Sequence, residues 1–461
     1  MIKIKKSFLQ FFSNQDNQLI FAMFFPILIE QLLLALMSTV HSIMLARVQT
    51  DAVYIVSAVN LVEQLNQLAY ALLGCVPLGA TVIVSQYVGS GKLEAAKHTA
   101  EQSVTLCFFL AIAVTAVFLL FSKEIFILFL GKDKSEGETF MYSMRYMKLC
   151  ALSYPLMNIG STAAGVVRGT GDAKSPIRIS VVTGIINAVV AGFCIYALNL
   201  NVYGAGIATI ISRFFGAIVA FALLIKKGYI TKFADLFKPK IIYIKQILRI
   251  GLYQSAENLM FQFGRTLTYR FLIGEIHIAA NSVAANIFNL ACTPGNSMSI
   301  VAMALVGRLT GAGDKKQSYK VLRNIIWLTM IMLFVTDIVL LPFSSSLIEL
   351  YTGNFDTDNL SDITMLIKQL LWLNLLFVPT AWPASFVMFS GMKGAGDVQF
   401  TTAVSMISMW LVRVLFAYIL GGLLGWGVIG VWWGMYLDWI FRGVFAVVRF
   451  RGKKWQEKSA V

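Results

Sequence analysis

A short set of ionisable side chains stands where an apolar chain accommodates them least. Glu30, His41, Glu63, Arg213, Glu257, Arg265, Arg270, Asp337, Lys368, Arg413, Asp438 and Arg442 all fall inside long apolar stretches. Within a bilayer each charge costs roughly 2.5 to 3.5 kcal/mol on insertion scales, so each is a candidate for carrying a proton, holding an ion or attracting a charged ligand. Glu30 and Glu257 stand out because their contexts match, Ile29-Glu30-Gln31-Leu32 and Ala256-Glu257-Asn258-Leu259. Glu30 and His41 lie close to three helical turns apart, which puts them on one face about 16 Å apart along the axis. Gln31 and Asn187 in the first half, and Asn258, Gln262, Asn281 and Asn286 in the second, would extend a polar cavity lining. Acids beside aromatic rings suit a soft organic cation through charge attraction and cation-π contact. Arg265, Asp337 and Arg413 are secondary candidates. Structural roles stand beside these readings. Glu257 is open to neutralisation by Arg265 or a helix neighbour, and His41 to service as a satisfied polar core residue whose ordinary pKa would also suit a proton-responsive gate. Arg413, Asp438 and Arg442 read best as interhelical or headgroup contacts, and Asp337 has no evident partner.

The elements that must position these residues follow from composition. The chain has 461 residues, 58% hydrophobic and 13% charged, where soluble domains carry roughly a quarter charged; its mean hydropathy is +0.74. That excludes an ordinary soluble domain. A helical span takes about 20 apolar residues, and the sequence divides into helices near 18–46, 53–88, 97–122, 139–166, 176–199 and 203–226, then 247–274, 278–308, 321–343, 363–391, 399–420 and 425–449. The net charge of +15 lies between apolar stretches rather than on a basic surface with interleaved aromatics, so nucleic acid is not the partner. It reads as topology. Lys and Arg crowd the N-terminus, the connections after every second segment and the tail, whereas the opposite loops carry Asp133, Glu136, Glu138, Glu349, Asp356, Asp358 and Asp362. The positive-inside rule then places both termini in the cytoplasm. Cys75, Cys107, Cys150, Cys194 and Cys292 are scattered singly through apolar segments, so no disulfide framework, metal site or redox site is indicated. The basic N-terminus leads into an apolar run too long for a signal peptide and without a cleavage pattern, so it reads as a retained first helix.

The two sixes resemble each other. Val84-Ser-Gln-Tyr-Val-Gly-Ser-Gly-Lys92 returns as Val306-Gly-Arg-Leu-Thr-Gly-Ala-Gly-Asp314, and Arg168-Gly-Thr-Gly-Asp172 returns as Lys393-Gly-Ala-Gly-Asp397. A duplicated chain follows, with an N-lobe over 1–226, a cytoplasmic linker over 227–246 and a C-lobe with a basic tail over 247–461. Repeats with an even number of spans share an orientation, so a pseudo-twofold axis along the membrane normal is expected, with a substrate between the lobes and alternating access by rocking. The glycine-rich stretches follow no strand of a nucleotide-binding unit, so they read as tight turns rather than phosphate loops. Pro26, Pro77, Pro155, Pro294 and Pro379 fall inside the segments and permit kinks.

These turns, together with Val84 to Lys97 and its partner Val306 to Lys320, Ser408-Met-Trp-Leu-Val-Arg413 and Gly427-Val-Ile-Gly-Val-Trp432, resemble the MATE family of multidrug and toxic compound extrusion transporters. The resemblance covers nearly the whole chain. It implies an all-α membrane protein of twelve transmembrane helices in two six-helix lobes: a monomeric antiporter in the cell membrane that exports organic, cationic or amphiphilic compounds against H+ or Na+ and needs no cofactor. It also marks departures. The family pattern has an Asp in the first helix where His41 stands, and an Asp four residues after the Asn that matches Asn187, where this chain has Ala191. Both N-lobe carboxylates are missing, and imidazole is a poor replacement for the oxygen ligands of a hard cation. Two alternatives are a flippase for lipid-linked substrates, which Arg265 and Arg270 keep open, and a membrane receptor descended from a transporter. A major-facilitator transporter fits poorly with Gly89-Ser90-Gly91-Lys92-Leu93-Glu94, and an enzyme would need a constellation such as HExxH or GxSxG that the sequence lacks.

Overall fold

The computed structural model describes residues 15–46, 52–130, 137–230, 236, 238–272, 274–352 and 360–461, which are helical with no strand among them. The first half runs through α1 (Gln15–Ala46), α2 (Ala52–Leu73), α3 (Cys75–Gly89), α4 (Leu93–Leu120), the short α5 (Ser122–Leu130), α6 (Glu138–Leu152), α7 (Tyr154–Gly169), α8 (Ile177–Gly192) and α9 (Asn201–Lys226). The second runs through α10 (Ile241–Thr268), α11 (Glu275–Ala291), α12 (Thr293–Gly311), α13 (Lys315–Leu340), the short α14 (Ser344–Thr352), α15 (Leu360–Phe377), α16 (Met388–Gly394), α17 (Val398–Ser408) and α18 (Gly427–Arg451). All twelve expected segments are helical. Among the described residues nine helices are long and apolar enough to cross a membrane, and α11 with α12 makes a tenth span bent by 48°. The other two segments, α6 with α7 and α10, are interrupted by Arg145, Lys148 and Arg168 and by Lys245, Arg249, Glu257 and Arg265. The chain is a multi-pass membrane protein.

Proline marks most of the breaks. It lacks an N–H and clashes with the carbonyl one turn back, so α7 and α12 each restart with Pro155 or Pro294 in the first turn. Pro379 follows the end of α15, and Pro383 opens a π-helical stretch, Pro383–Val387, that leads into α16. After α17 the helix continues through two more π-helical stretches, Met409–Val414 and Ala417–Leu423.

The chain divides into two compact units. One comprises Phe25–Ala256 with the last two residues, and the other Glu257–Ser459 with the residues up to Phe24. Both boundaries fall inside helices, α1 and α10, rather than in the connection between the halves. That connection packs on the first unit. Gln102 on α4 donates to the Lys238 carbonyl at 3.0 Å and accepts from the Lys240 amide at 3.1 Å, and Tyr87 donates to Gln246 at 2.9 Å.

The duplication holds to the level of single hydrogen bonds. After α3 the amides of Ser90, Gly91 and Lys92 donate to the carbonyls of Gln86, Val88 and Tyr87; after α12 those of Ala312, Gly313 and Asp314 donate to Arg308, Thr310 and Leu309. Gly91 and Gly313 take φ of 73° and 75°, and Gly171 and Gly396 take 91° and 101°, a left-handed conformation that glycine alone enters freely. The glycine before each second turn serves close packing instead. A Cβ at Gly169 would stand 2.8 Å from the Thr81 carbonyl oxygen on α3, and one at Gly394 2.3 Å from that of Met303 on α12.

Candidate functional site

The two matched acids each hold a base from the second glycine turn of their own unit. Glu30 on α1 is buried, and Nη1 of Arg168 at the end of α7 donates to its two oxygens at 3.0 and 2.9 Å. The Ser180 hydroxyl stands 3.4 Å from the same carboxylate. Glu257 on α10 is buried likewise; Lys393 at the end of α16 donates to it at 2.7 Å and Thr402 at 3.2 Å. The partner of Glu257 is therefore Lys393 rather than Arg265. Sequence reading quoted Arg168 and Lys393 only as the first residues of turns. The signal was present, since both copies of the motif begin with a base and both first helices carry a matched acid.

The acids that end the same turns are paired too. Asp172 meets Lys227 at 2.6 Å, and Asp397 takes Arg449 through two bonds of 2.8 and 3.1 Å. Burial pushes the Asp172 carboxyl up, but bonds from Lys227 and from the hydroxyl and amide of Ser175 outweigh it and hold the pKa down to about 2.

The second unit contains a cavity of about 210 Å³, lined by residues of α10, α11, α18 and the π-helical stretches. Its walls are aromatic. Trp382 stacks on Phe386 with ring centres 4.9 Å apart, and Phe288 on Trp439 at 5.7 Å. Gln262, Asn281 and Asn289 add amides, and Asn281 accepts a bond of 2.8 Å from the Trp432 indole. The charged groups on the wall are Arg265 and Arg413, whose guanidinium groups have no hydrogen-bond or ion-pair partner among the described residues. Beside them, within α18, the fully buried Arg442 pairs with Asp438 at 2.7 Å and lies 4.8 Å and 4.4 Å over the rings of Phe261 and Phe386. Asp438 also accepts from the Ser408 hydroxyl. The Asp438–Arg442 pair is intrahelical, while Ser408 on α17 and the rings of Phe261 and Phe386 give the two residues interhelical contacts of the kind expected; Arg413 stands within charge range of both.

Asp337 lies on the buried face of α13, in step with Thr329 and Leu333, while Trp327, Ile331, Phe334 and Ile338 line the exposed face. Its Oδ2 is buried with no hydrogen-bond partner among the described residues. Cys292 and Tyr436 are within charge range of it, and the Tyr436 hydroxyl donates to Asn374 at 2.9 Å.

The remaining candidates separate. Gln262 and Asn281 line the cavity, whereas Asn258 and Asn286 are exposed and Gln31 is half-buried on α1. Asn187 is buried and donates to Ser212 at 3.1 Å. His41 lies on α1, with its side chain outside the described residues. In the first unit the half-buried charges are held by neutral partners: Arg213 bonds Ser153 at 2.6 Å and Tyr70 at 3.0 Å, and Asn66 joins Glu63 at 3.2 Å to the Tyr154 hydroxyl at 2.7 Å. Sequence reading did not find this network or the aromatic wall, because a tryptophan facing a cavity and one facing lipid look alike in one dimension.

A helical multi-pass chain with a duplicated scaffold and a polar, aromatic cavity among its spans has the build of a membrane transporter. The MatE family model matches residues 26–193 and 250–419, one match in each half, and the chain belongs to that family. It is 26% identical to the probable multidrug resistance protein NorM of Thermotoga maritima, over 88% of this chain and 86% of that one. It is 23% identical to the uncharacterized transporter YisQ of Bacillus subtilis, over 95% of each. Among solved structures it is similar, with a TM-score of 0.86 at 20% identity over 98% of each chain, to a MOP superfamily transporter from Pyrococcus furiosus described as having a binding pocket of reverse polarity. A multidrug resistance MATE family transporter in an outward-facing conformation gives a TM-score of 0.85 at 20% identity, covering 96% of this chain and 98% of that one. These likenesses establish the twelve-helix, two-lobed fold.

Proposed function

We propose that the protein is a secondary active exporter of organic amphiphiles, working by alternating access and driven by inward proton flow across the cell membrane. The observation that carries this is the aromatic cavity within the second unit, with polar groups left free to meet a guest. Binding sites of this kind are largely apolar, with a few placed polar groups that fix orientation. The relatives' names, several of them multidrug resistance proteins, support export as its direction.

The coupling proposal divides the acids by their partners. Glu30 and Glu257, candidates from their matched positions, carry a proton only if Arg168 and Lys393 let go of them during the cycle. Asp337 needs no such exchange. A buried carboxyl with an unmet oxygen has protonation states of very different solvation, so a change of access to water changes its proton occupancy. Asp337 is therefore the first choice for the coupling residue, with Glu257 second.

The test is export of a panel of amphiphilic dyes from proteoliposomes under separately imposed pH and Na+ gradients. Transport driven by the pH gradient, and lowered at least tenfold by Asp337→Asn, is the expected result. Flux driven by Na+ alone would overturn proton coupling, and specific binding with no flux under either gradient would favour a receptor instead.

A further inference from the structure

We infer that the second-unit cavity selects an anionic amphiphile: an apolar or aromatic body carrying a carboxylate, sulfonate or phosphate. This rests on the reading of that cavity as the substrate site, and it narrows the class of substrate. The expectation of an organic cation drew on Glu30 and Glu257 as cavity-lining acids, but each is occupied by a base of its own unit. The charges on the cavity wall are of the opposite sign.

The local charge count decides the polarity. Arg413 lies within charge range of Arg265 and Arg442 and, among the acids of the described residues, of Asp438, and Asp438 is already taken by Arg442 and Ser408. Two guanidinium groups remain over, on different elements, both lining the cavity and within charge range of each other. Each is expensive to hold among membrane helices without a counter-charge. Arginine is also suited to the purpose, since its planar fork meets the two oxygens of a carboxylate or phosphate. The body of the ligand would lie against Trp382, Phe386 and Trp432, while Gln262 and Asn289 offer amide donors beside the anion.

Size sharpens the class. Drug-sized ligands take roughly 300 to 1,000 Å³, so a cavity of about 210 Å³ encloses a one- or two-ring acid, or the charged end of something longer. The same chemistry is found in free aromatic acids and in anionic lipid headgroups. Arg413 lies within a π-helical stretch, and Phe386 within another; such turns recur at functional sites because the extra residue re-aims the side chains around it.

The experiment is calorimetric titration of the full chain in detergent, with no gradient, using one ring system in three charge states: 2-naphthoate, 2-naphthylmethanol and 2-naphthylmethyltrimethylammonium. A second arm uses dihexanoylphosphatidylglycerol against dihexanoylphosphatidylcholine. The naphthoate should bind at least tenfold more tightly than the alcohol or the cation, and Arg265→Gln and Arg413→Gln should each weaken it about tenfold, as loss of a charge-assisted bond does. Arginine-dependent binding of phosphatidylglycerol alone would support the same anion site with a lipid as its source. Tighter binding of the cation than of the naphthoate, or equal binding of all three, would overturn the proposal; the wild-type series alone decides this if a variant fails to fold. Failure of export is separable. Arginine-dependent anion binding without flux would refute transport and leave this site standing, whereas robust export of cations by the Arg265→Gln, Arg413→Gln double variant would refute this site and leave transport standing.

Discussion

At the scale of the residue, the charges within the helices of this chain fall into two groups that ask for opposite experiments. Glu257 and Lys393 are both buried and bonded to each other at 2.7 Å. Removing one member of such a pair strands the other, at a cost of about 3 to 5 kcal/mol, whereas replacing both with apolar residues of similar volume is often nearly neutral. We therefore expect Glu257→Ala to lower the unfolding temperature in detergent markedly, and the double variant Glu257→Leu, Lys393→Met to recover most of the loss. Equal stability of the single and double variants would mean the pair does not couple. Arg265 and Arg413 belong to the other group, since neither forms an ion pair with an acid among the described residues. Their loss should leave the unfolding temperature nearly unchanged while it changes binding, which separates ligand selection from structural support within one measurement.

At the scale of the element, the second glycine turn of each half does three things at once. Its glycine before the turn admits a close helix, its left-handed glycine reverses the chain, and its first and last residues clamp an acid on the half's first helix and a base at its end. Gly394→Ala would push a Cβ to 2.3 Å from the Met303 carbonyl; overpacking of that kind costs about 1 to 3 kcal/mol, visible as a lower unfolding temperature. The clamp at Asp172 is pH-dependent. Its carboxyl moves from an ordinary 3.8 to about 2 when folded, so the ion pair with Lys227 stabilises fully above the unfolded value and its contribution is lost as the pH falls through the folded one. The difference in unfolding temperature between wild type and Asp172→Asn should be constant near neutrality and shrink as the pH drops from 3.8 towards 2; a difference that stays constant down to pH 2 would remove the Lys227 pair as its cause. Much of this was legible in the sequence. Hydropathy set the helices, the recurrence of the glycine turns disclosed the duplication, and proline marked the breaks. The partners of Glu30 and Glu257 were not, because ion pairs between residues more than a hundred positions apart leave no local periodicity. The π-helical stretches were equally hidden, as a one-residue insertion into a helix changes no composition.

At the scale of the whole molecule, the direction of transport depends on which face of the membrane each loop meets, and the charge asymmetry makes a definite claim about that. Twelve spans return the chain to the side on which it began. The connection bearing Lys226, Lys227, Lys238, Lys240, Lys245 and Arg249, and the tail bearing Arg449, Arg451, Lys453, Lys454 and Lys458, should both be cytoplasmic, opposite Asp362 in the first turn of α15. The protein is well suited to a direct test, because all five native cysteines are buried and should give little background with a membrane-impermeant maleimide. Lys458 and Asp362 are exposed, so Lys458→Cys and Asp362→Cys each present one new thiol on a surface that tolerates it. In intact cells the reagent should label the cysteine at 362 and not the one at 458, and opening the cells should make 458 reactive. The reverse pattern would invert the topology and, with it, the side from which a substrate enters the cavity between Arg265, Arg413 and the aromatic wall. Labelling of both positions from outside would mean an even number of crossings between them, where α15 with α16, α17 and α18 make three, and would require one of those spans to lie flat at the surface. The apolar outward faces of the helical continuation of α17, with Leu411 and Leu415 exposed, and of α18, with Val444 and Val448 exposed, argue that each of these crosses.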